Sequence, residues 1–127
     1  MSKYKNSSIF KSLTYAYRGV AIALKSQRNF RFDVIFGAFT LVCAVVLKFS
    51  YIELALLVIT INSVLFAELL NTVVEFVIDG YYGNRYSIIA KMSKDIAAGS
   101  VLITAISASI IGILLFAPKL IKLFKLF

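Results

Sequence analysis

Apolar residues in this chain gather into three long runs separated by short polar stretches. Phe32 to Phe49 carries charge only at Asp33 and Lys48, near its two ends. Tyr51 to Ile78 is longer and holds carboxylates, whereas Ile96 to Ala117 has no formal charge and stops at Pro118. A helix needs about 20 apolar residues to cross a hydrocarbon core of about 30 Å, so each run is predicted to span a membrane. So few residues separate the first two that they are expected to pair as a tight antiparallel hairpin. Ahead of them Ile9, Phe10, Leu13, Tyr17, Val20 and Leu24 recur at helical spacing, with Lys11, Ser12, Thr14 and Arg18 on other faces. Residues 7–26 thus read as an amphipathic helix lying in the headgroup layer, basic groups towards anionic lipid. The pattern predicts an all-α integral membrane protein with one domain over residues 1–127: a surface helix at 7–26 and spans at 32–49, 51–78 and 96–117.

Composition supports the membrane assignment. Hydrophobic residues make up 61% of the chain and the mean hydropathy is +0.90, too apolar for a small water-soluble fold to hide. The net charge of +8 raises nucleic acid as a partner, but its distribution excludes that reading. Lys3, Lys5, Lys11, Arg18, Lys25, Arg28 and Arg31 precede the first span, and Arg85, Lys91 and Lys94 follow the second. The positive-inside rule places both segments, and hence the N-terminus, on the cytoplasmic side of the cell membrane. The turn around Lys48 and Glu53 then faces outward, as does a C-terminal end that Lys119, Lys122 and Lys125 make basic too. Cys43 is the single cysteine and precludes an internal disulfide; the chain has no histidine, and so no imidazole base or ligand. The N-terminal segment does not match a cleaved signal peptide, because its apolar run begins too late.

Against this apolar background the middle run carries Glu68, Asn71, Glu75 and Asp79. Their spacing of i, i+3, i+7 and i+11 draws one stripe on a helix of about 3.6 residues per turn. Ionisable groups at membrane depth are costly, about 2.5–3.5 kcal/mol each on insertion scales, and mark functional sites by default. If Glu53 marks the outer surface, Glu68 lies about 22 Å and Glu75 about 33 Å further along the helix. The stripe then occupies the depth where a lipid headgroup and a soluble cytoplasmic ligand meet. Asp79-Gly80 with Gly83-Asn84 is expected to break the helix, and Ser87 to cap the next one.

Two carboxylates and an amide on one face suit a hard divalent cation, which takes oxygen ligands and keeps several waters. Lys94 and Asp95 add a phosphate partner and a further acid at the same membrane face. A bridging metal reverses the repulsion between carboxylates and nucleotide phosphates, and phosphoryl transfer then needs positioning and one base. Gly80 and Gly83 are not followed by Gly-Lys-Ser/Thr, so a nucleotide site of the Walker type is excluded. Blander readings stand beside these. Glu68 alone pairs with a nearby cation, Asn71 alone joins helices, Asp79 alone ends one, and Lys94-Asp95 alone anchors an interface.

The run Glu68-Leu-Leu-Asn71-Thr-Val-Val-Glu75, followed by residues 90–101 (AKMSKDIAAGSV), resembles the signature of the prokaryotic diacylglycerol kinase/undecaprenol kinase family. Tyr15-Ala16-Tyr17-Arg18-Gly19 and Asn29-Phe30-Arg31 fit the same family, so the resemblance covers nearly the whole chain. It implies a homotrimeric helical bundle with active sites shared between subunits, and MgATP-dependent phosphorylation of a membrane lipid hydroxyl at the cytoplasmic face. By position it makes Glu68 the general base with Asn71 beside it, and Glu75 a metal ligand. Tyr15, Asp79, Lys94 and Asp95 fall around the nucleotide. The wording Ile96-Ala-Ala-Gly-Ser-Val and the short tail are similar to the Gram-positive branch, which implies undecaprenol as substrate, with diacylglycerol as the alternative. One position departs from the family's pattern: Gln27 stands where a Glu metal ligand is usual, which implies weaker metal binding or recruitment of another acid.

Two other classes fit intramembrane carboxylates. A small carrier would move substrate without ATP, but carriers bind near the midplane, whereas this stripe is clustered at one face. A non-catalytic subunit, or a kinase relative disabled at Gln27, would keep the fold without turnover.

Overall fold

The computed structural model describes residues 8–125, and these fold into four helices. Lys3, Lys5 and Ser7 lie outside the described residues. Helix α1, Ile9–Ser26, starts where Ser8 takes extended backbone and its Oγ accepts the Lys11 N–H at 3.3 Å. It ends at Gln27, the single non-helical residue before α2, Arg28–Val46. One extended residue (φ −113°, ψ 108°) turns the chain sharply between the two helices. Arg31 holds that elbow: its Nη1 donates to the carbonyls of Leu24 at 2.8 Å and Lys25 at 3.0 Å. The guanidinium thereby closes a helix end whose last carbonyls lack intrahelical donors.

A turn through Lys48, whose φ is 59°, returns the chain as α3, Tyr51–Tyr82. The start of α3 is a capping box, with Ser50 Oγ accepting from Glu53 N–H and Glu53 Oε1 accepting from Ser50 N–H. Asp79-Gly80 does not interrupt this helix, contrary to the expectation from sequence; the stop comes at Gly83, in a left-handed conformation with φ 58°. One glycine within a strongly apolar helix is too weak a breaker when the neighbouring turns keep their backbone bonds. Helix α4, Ile88–Lys125, follows a short turn in which Ser87 Oγ accepts from Ala90 N–H. Pro118, offered by the sequence as the end of the third run, stands inside α4. Proline removes one donor and leaves one carbonyl without its bond, which long membrane helices tolerate.

The helices pack mainly as α3 on α4, then α2 on α3, with α1 laid against α2. Gly37 lets α2 and α3 come close, since a Cβ there would lie 2.8 Å from Ile61 Cγ2. The buried core is small: Ala44, Phe49 and Leu57, with Leu54, Ile61 and Phe116 packed around them. Large apolar side chains such as Phe36, Ile59 and Ile103 remain exposed on the single chain. Helices apolar on most faces need lipid or other helices around them. Three of the four (α2, α3 and α4) are long and apolar enough to cross a bilayer, so the chain is an all-helical, multi-pass membrane protein.

Candidate functional site

At 100° per residue the four polar positions of α3 fall within about one quarter of its circumference, and the structure keeps them on one unbroken helix. Glu68 is the deepest of the set, only 7% exposed among packed helices. One turn on, Thr72 is also buried and donates its hydroxyl hydrogen back to the Glu68 carbonyl at 2.9 Å. This leaves the Glu68 carboxylate free of any hydrogen bond or ion pair among the described residues. The Asp33 carboxyl, one turn into α2, lies within electrostatic range of it, as does that of Glu75. The reading in which Glu68 merely pairs with a cation therefore has no support among the described residues.

Asn71 and Glu75 are joined directly, the amide Nδ2 donating to Glu75 Oε1 at 3.2 Å. Asn71 Oδ1 is buried and has no partner. A buried acceptor left open is uncommon in folded proteins and points to a group that completes it. The Glu75 carboxylate and this amide oxygen are hard oxygen donors of the kind a magnesium ion takes, and such an ion needs few of them. The residues fit the ion. Of the two ligands expected from sequence, Glu75 is the one held by Asn71. Gln27, the other, sits at the elbow with its Nε2 turned to Ser26 Oγ at 3.3 Å, and no hydrogen bond joins it to Glu75.

One turn further towards the end of α3, Asp79 reaches α4. Its Oδ1 accepts from Lys94 Nζ at 2.8 Å, an ion pair that ties the two helices together. That bond to Asp79 holds the Lys94 ammonium above the usual lysine range, so it stays charged at neutral pH. Asp95 is paired not with the stripe but with Lys91, one turn back on its own helix, at 2.8 Å. Both pairs are well exposed to water, so each is readily exchanged for another partner. Tyr15 stays half exposed on α1 with the Arg18 guanidinium 5.8 Å above its ring. Helix α1 packs chiefly on α2, and Asp79 and Lys94 are paired with each other rather than with Tyr15.

Two residues of this region escaped the reading of the sequence. Asp33 looked like the charged edge of an apolar run, although an acid inside a span is itself a signal. Arg31 counted only as one of the basic residues ahead of the first span, and the fold shows it closing α1. From Asp33 an apolar groove of about 780 Å³ runs between α2, α3 and α4 past Gly37 and Thr40 to Leu47 and Leu120 at the other end.

The sequence pattern of the prokaryotic diacylglycerol kinase family matches residues 14–116, a stretch that contains every candidate site residue. A diacylglycerol kinase from Synechocystis sp. is 42% identical over 112 residues, 88% of this chain and 64% of that protein. An undecaprenol kinase from Bacillus subtilis is 36% identical over 111 residues, 87% of this chain and 89% of that protein. The chain thus spans a little under two thirds of the first relative and nearly all of the second.

Proposed function

This chain belongs to the prokaryotic diacylglycerol kinase family, and from that premise we propose that it is a lipid kinase. It transfers the γ-phosphoryl group of ATP to the hydroxyl of a membrane lipid, undecaprenol, at the cytoplasmic face of the cell membrane, with the N-terminus on that face. The observation that carries the reading is the stripe on α3. It sets a buried, unpartnered carboxylate about 5 to 10 Å along the helix from an amide–carboxylate pair and about 16 Å from an ion pair shared with α4.

Each part has a task in that reaction. Glu68, held away from any cation, accepts the proton of the lipid alcohol as its oxygen forms the bond to the γ-phosphorus. The bond between that phosphorus and the bridging oxygen breaks, and ADP leaves with the electron pair. Asn71 fixes the Glu75 carboxylate by its amide hydrogen and leaves its own buried oxygen unpaired among the described residues. Glu75 and Asn71 would hold magnesium, with Gln27 as a neutral third donor, and the ion supplies charge neutralisation at the phosphates. Lys94 exchanges its bond to Asp79 for a phosphate oxygen, and Asp79 and Asp95 line the nucleotide with Tyr15. Tyr15 lies on α1, which packs chiefly on α2, and Gln27 makes no hydrogen bond to the stripe among the described residues. That fits a homotrimer in which one subunit's α1 completes the site of its neighbour.

Transfer of labelled γ-phosphate from ATP to undecaprenol and to diacylglycerol, presented separately in mixed micelles, tests the proposal. Label entering undecaprenol faster than diacylglycerol supports it, the reverse order moves the substrate to diacylglycerol, and no label in either lipid with the assembly intact refutes it.

A further inference from the structure

Helix α1 touches the rest of its own chain only near its end. Residues 9–20 are all exposed, and Ala21, Ala23 and Leu24 are the covered positions. On either side of Gln27, Ala23 is 2% and Phe30 3% exposed, so the pivot is packed while the arm is not. The direction of α1 is therefore set at the elbow rather than along its length. Lipid holds an amphipathic helix at its depth, but it does not fix where that helix points in the plane of the membrane.

Two backbone dihedrals at Gln27 alone would leave this direction soft. Arg31 supplies the constraint. Its Nη1 donates both to the Leu24 carbonyl at 2.8 Å and to the Lys25 carbonyl at 3.0 Å, so the start of α2 grips the last turn of α1 at two points. Arg31 pairs with no carboxylate among the described residues, and its charge sits at the negative end of the α1 dipole. Leverage carries the effect outward. Tyr15 lies 12 residues, or about 18 Å, from Gln27. A turn of about 20° at the elbow would move it by about 6 Å, further than a contact survives. We infer that Arg31 is a positioning residue for MgATP: by closing the elbow it aims α1, and Tyr15 with it, at the nucleotide on a neighbouring subunit's stripe. This rests on the proposed function, in which α1 of one subunit completes the site of the next. Without the grip α1 points correctly for only part of the time, and the apparent affinity for nucleotide falls by that fraction.

Arg31→Met keeps the apolar stem and removes the donors. In the full chain reconstituted in phosphatidylcholine vesicles, equilibrium binding of MgATP should weaken about tenfold, the scale of one charged hydrogen bond. Turnover at saturating ATP should stay near the native value, because bound nucleotide draws α1 into place. Arg31→Lys, which keeps the charge and a donor, recovers most of the affinity, and Lys25→Gln, an equal loss of charge beside the elbow, leaves it unchanged. Arg31→Gln, too short to reach both carbonyls, serves should Arg31→Met not assemble. A second readout is geometric. In a Cys43→Ser background, spin labels at Lys11→Cys on α1 and Ile103→Cys on α4 report the distance from arm to bundle, with labelled chains diluted among unlabelled ones. The native elbow gives a narrow distribution, and Arg31→Met broadens it. Neither readout needs a lipid acceptor, so a failure here is distinct from a failure of the kinase reaction. A distribution as narrow in Arg31→Met as in the native chain overturns the inference, since something other than the elbow then holds α1. Broadening with unchanged MgATP affinity overturns it too and leaves Arg31 a helix cap only. An equal loss of affinity in Lys25→Gln overturns it in favour of general attraction by positive charge.

Discussion

The two ends of the α3–α4 pair use similar residues to opposite effect. At the far end Glu53 caps its own helix and accepts Lys119, whose ammonium lies over Phe49, a ring 4.8 Å from that of Phe116. The carboxylate and ammonium there are about three-quarters covered. At the Glu68 end the Asp79–Lys94 and Lys91–Asp95 pairs are 41–65% exposed, a buried amide oxygen is open, and the deepest carboxylate has no partner. The far end satisfies its one carboxylate, and the near end leaves its acids and amide available. A fold that needed its acids only for cohesion would treat the two ends alike.

Substitution at each end should therefore move different quantities. Glu68→Gln should lower the turnover number by at least about a hundredfold, the ordinary range for loss of a general base, with an unchanged melting temperature. Phe49→Ala should do the reverse: about 3 kcal/mol of stability is lost, as for other buried Phe truncations, read by thermal unfolding in detergent. Turnover at low temperature should survive that change. Asp79→Asn should raise KM for ATP about tenfold, the scale of one charged hydrogen bond, and leave KM for the lipid alone. Gln27→Glu should lower the magnesium concentration for half-maximal turnover several-fold, because a second carboxylate suits the ion better than an amide. Lys91→Gln, in the most exposed pair, should leave the melting temperature where it is. A large stability loss from Glu68→Gln, or unchanged stability in Phe49→Ala, would erase the contrast between the ends.

The part of the site legible in the sequence is the part confined to one helix. Glu68, Asn71, Glu75 and Asp79 were readable because helical periodicity alone puts them on a face, and the Ser50–Glu53 box was there to be read from its spacing. Contacts between helices were not readable. Nothing local tells that Lys119 returns to Glu53 or that Lys94 chooses Asp79. The helix ends misled where rules from soluble proteins were applied. Gly80 and Pro118 act as stops when water competes for backbone groups, but helices flanked by apolar surface carry both through. Gly83 stops α3 because its backbone turns left-handed there.

Label from the γ-phosphate of ATP appearing in extracted undecaprenol, compared between the native chain and Glu68→Gln at equal assembly, tests the central claim most directly. The native protein should label the lipid and the variant should not, with both melting alike. Equal labelling by the two proteins would remove Glu68 from the reaction, and no labelling of undecaprenol or diacylglycerol by the native protein would remove the reaction itself.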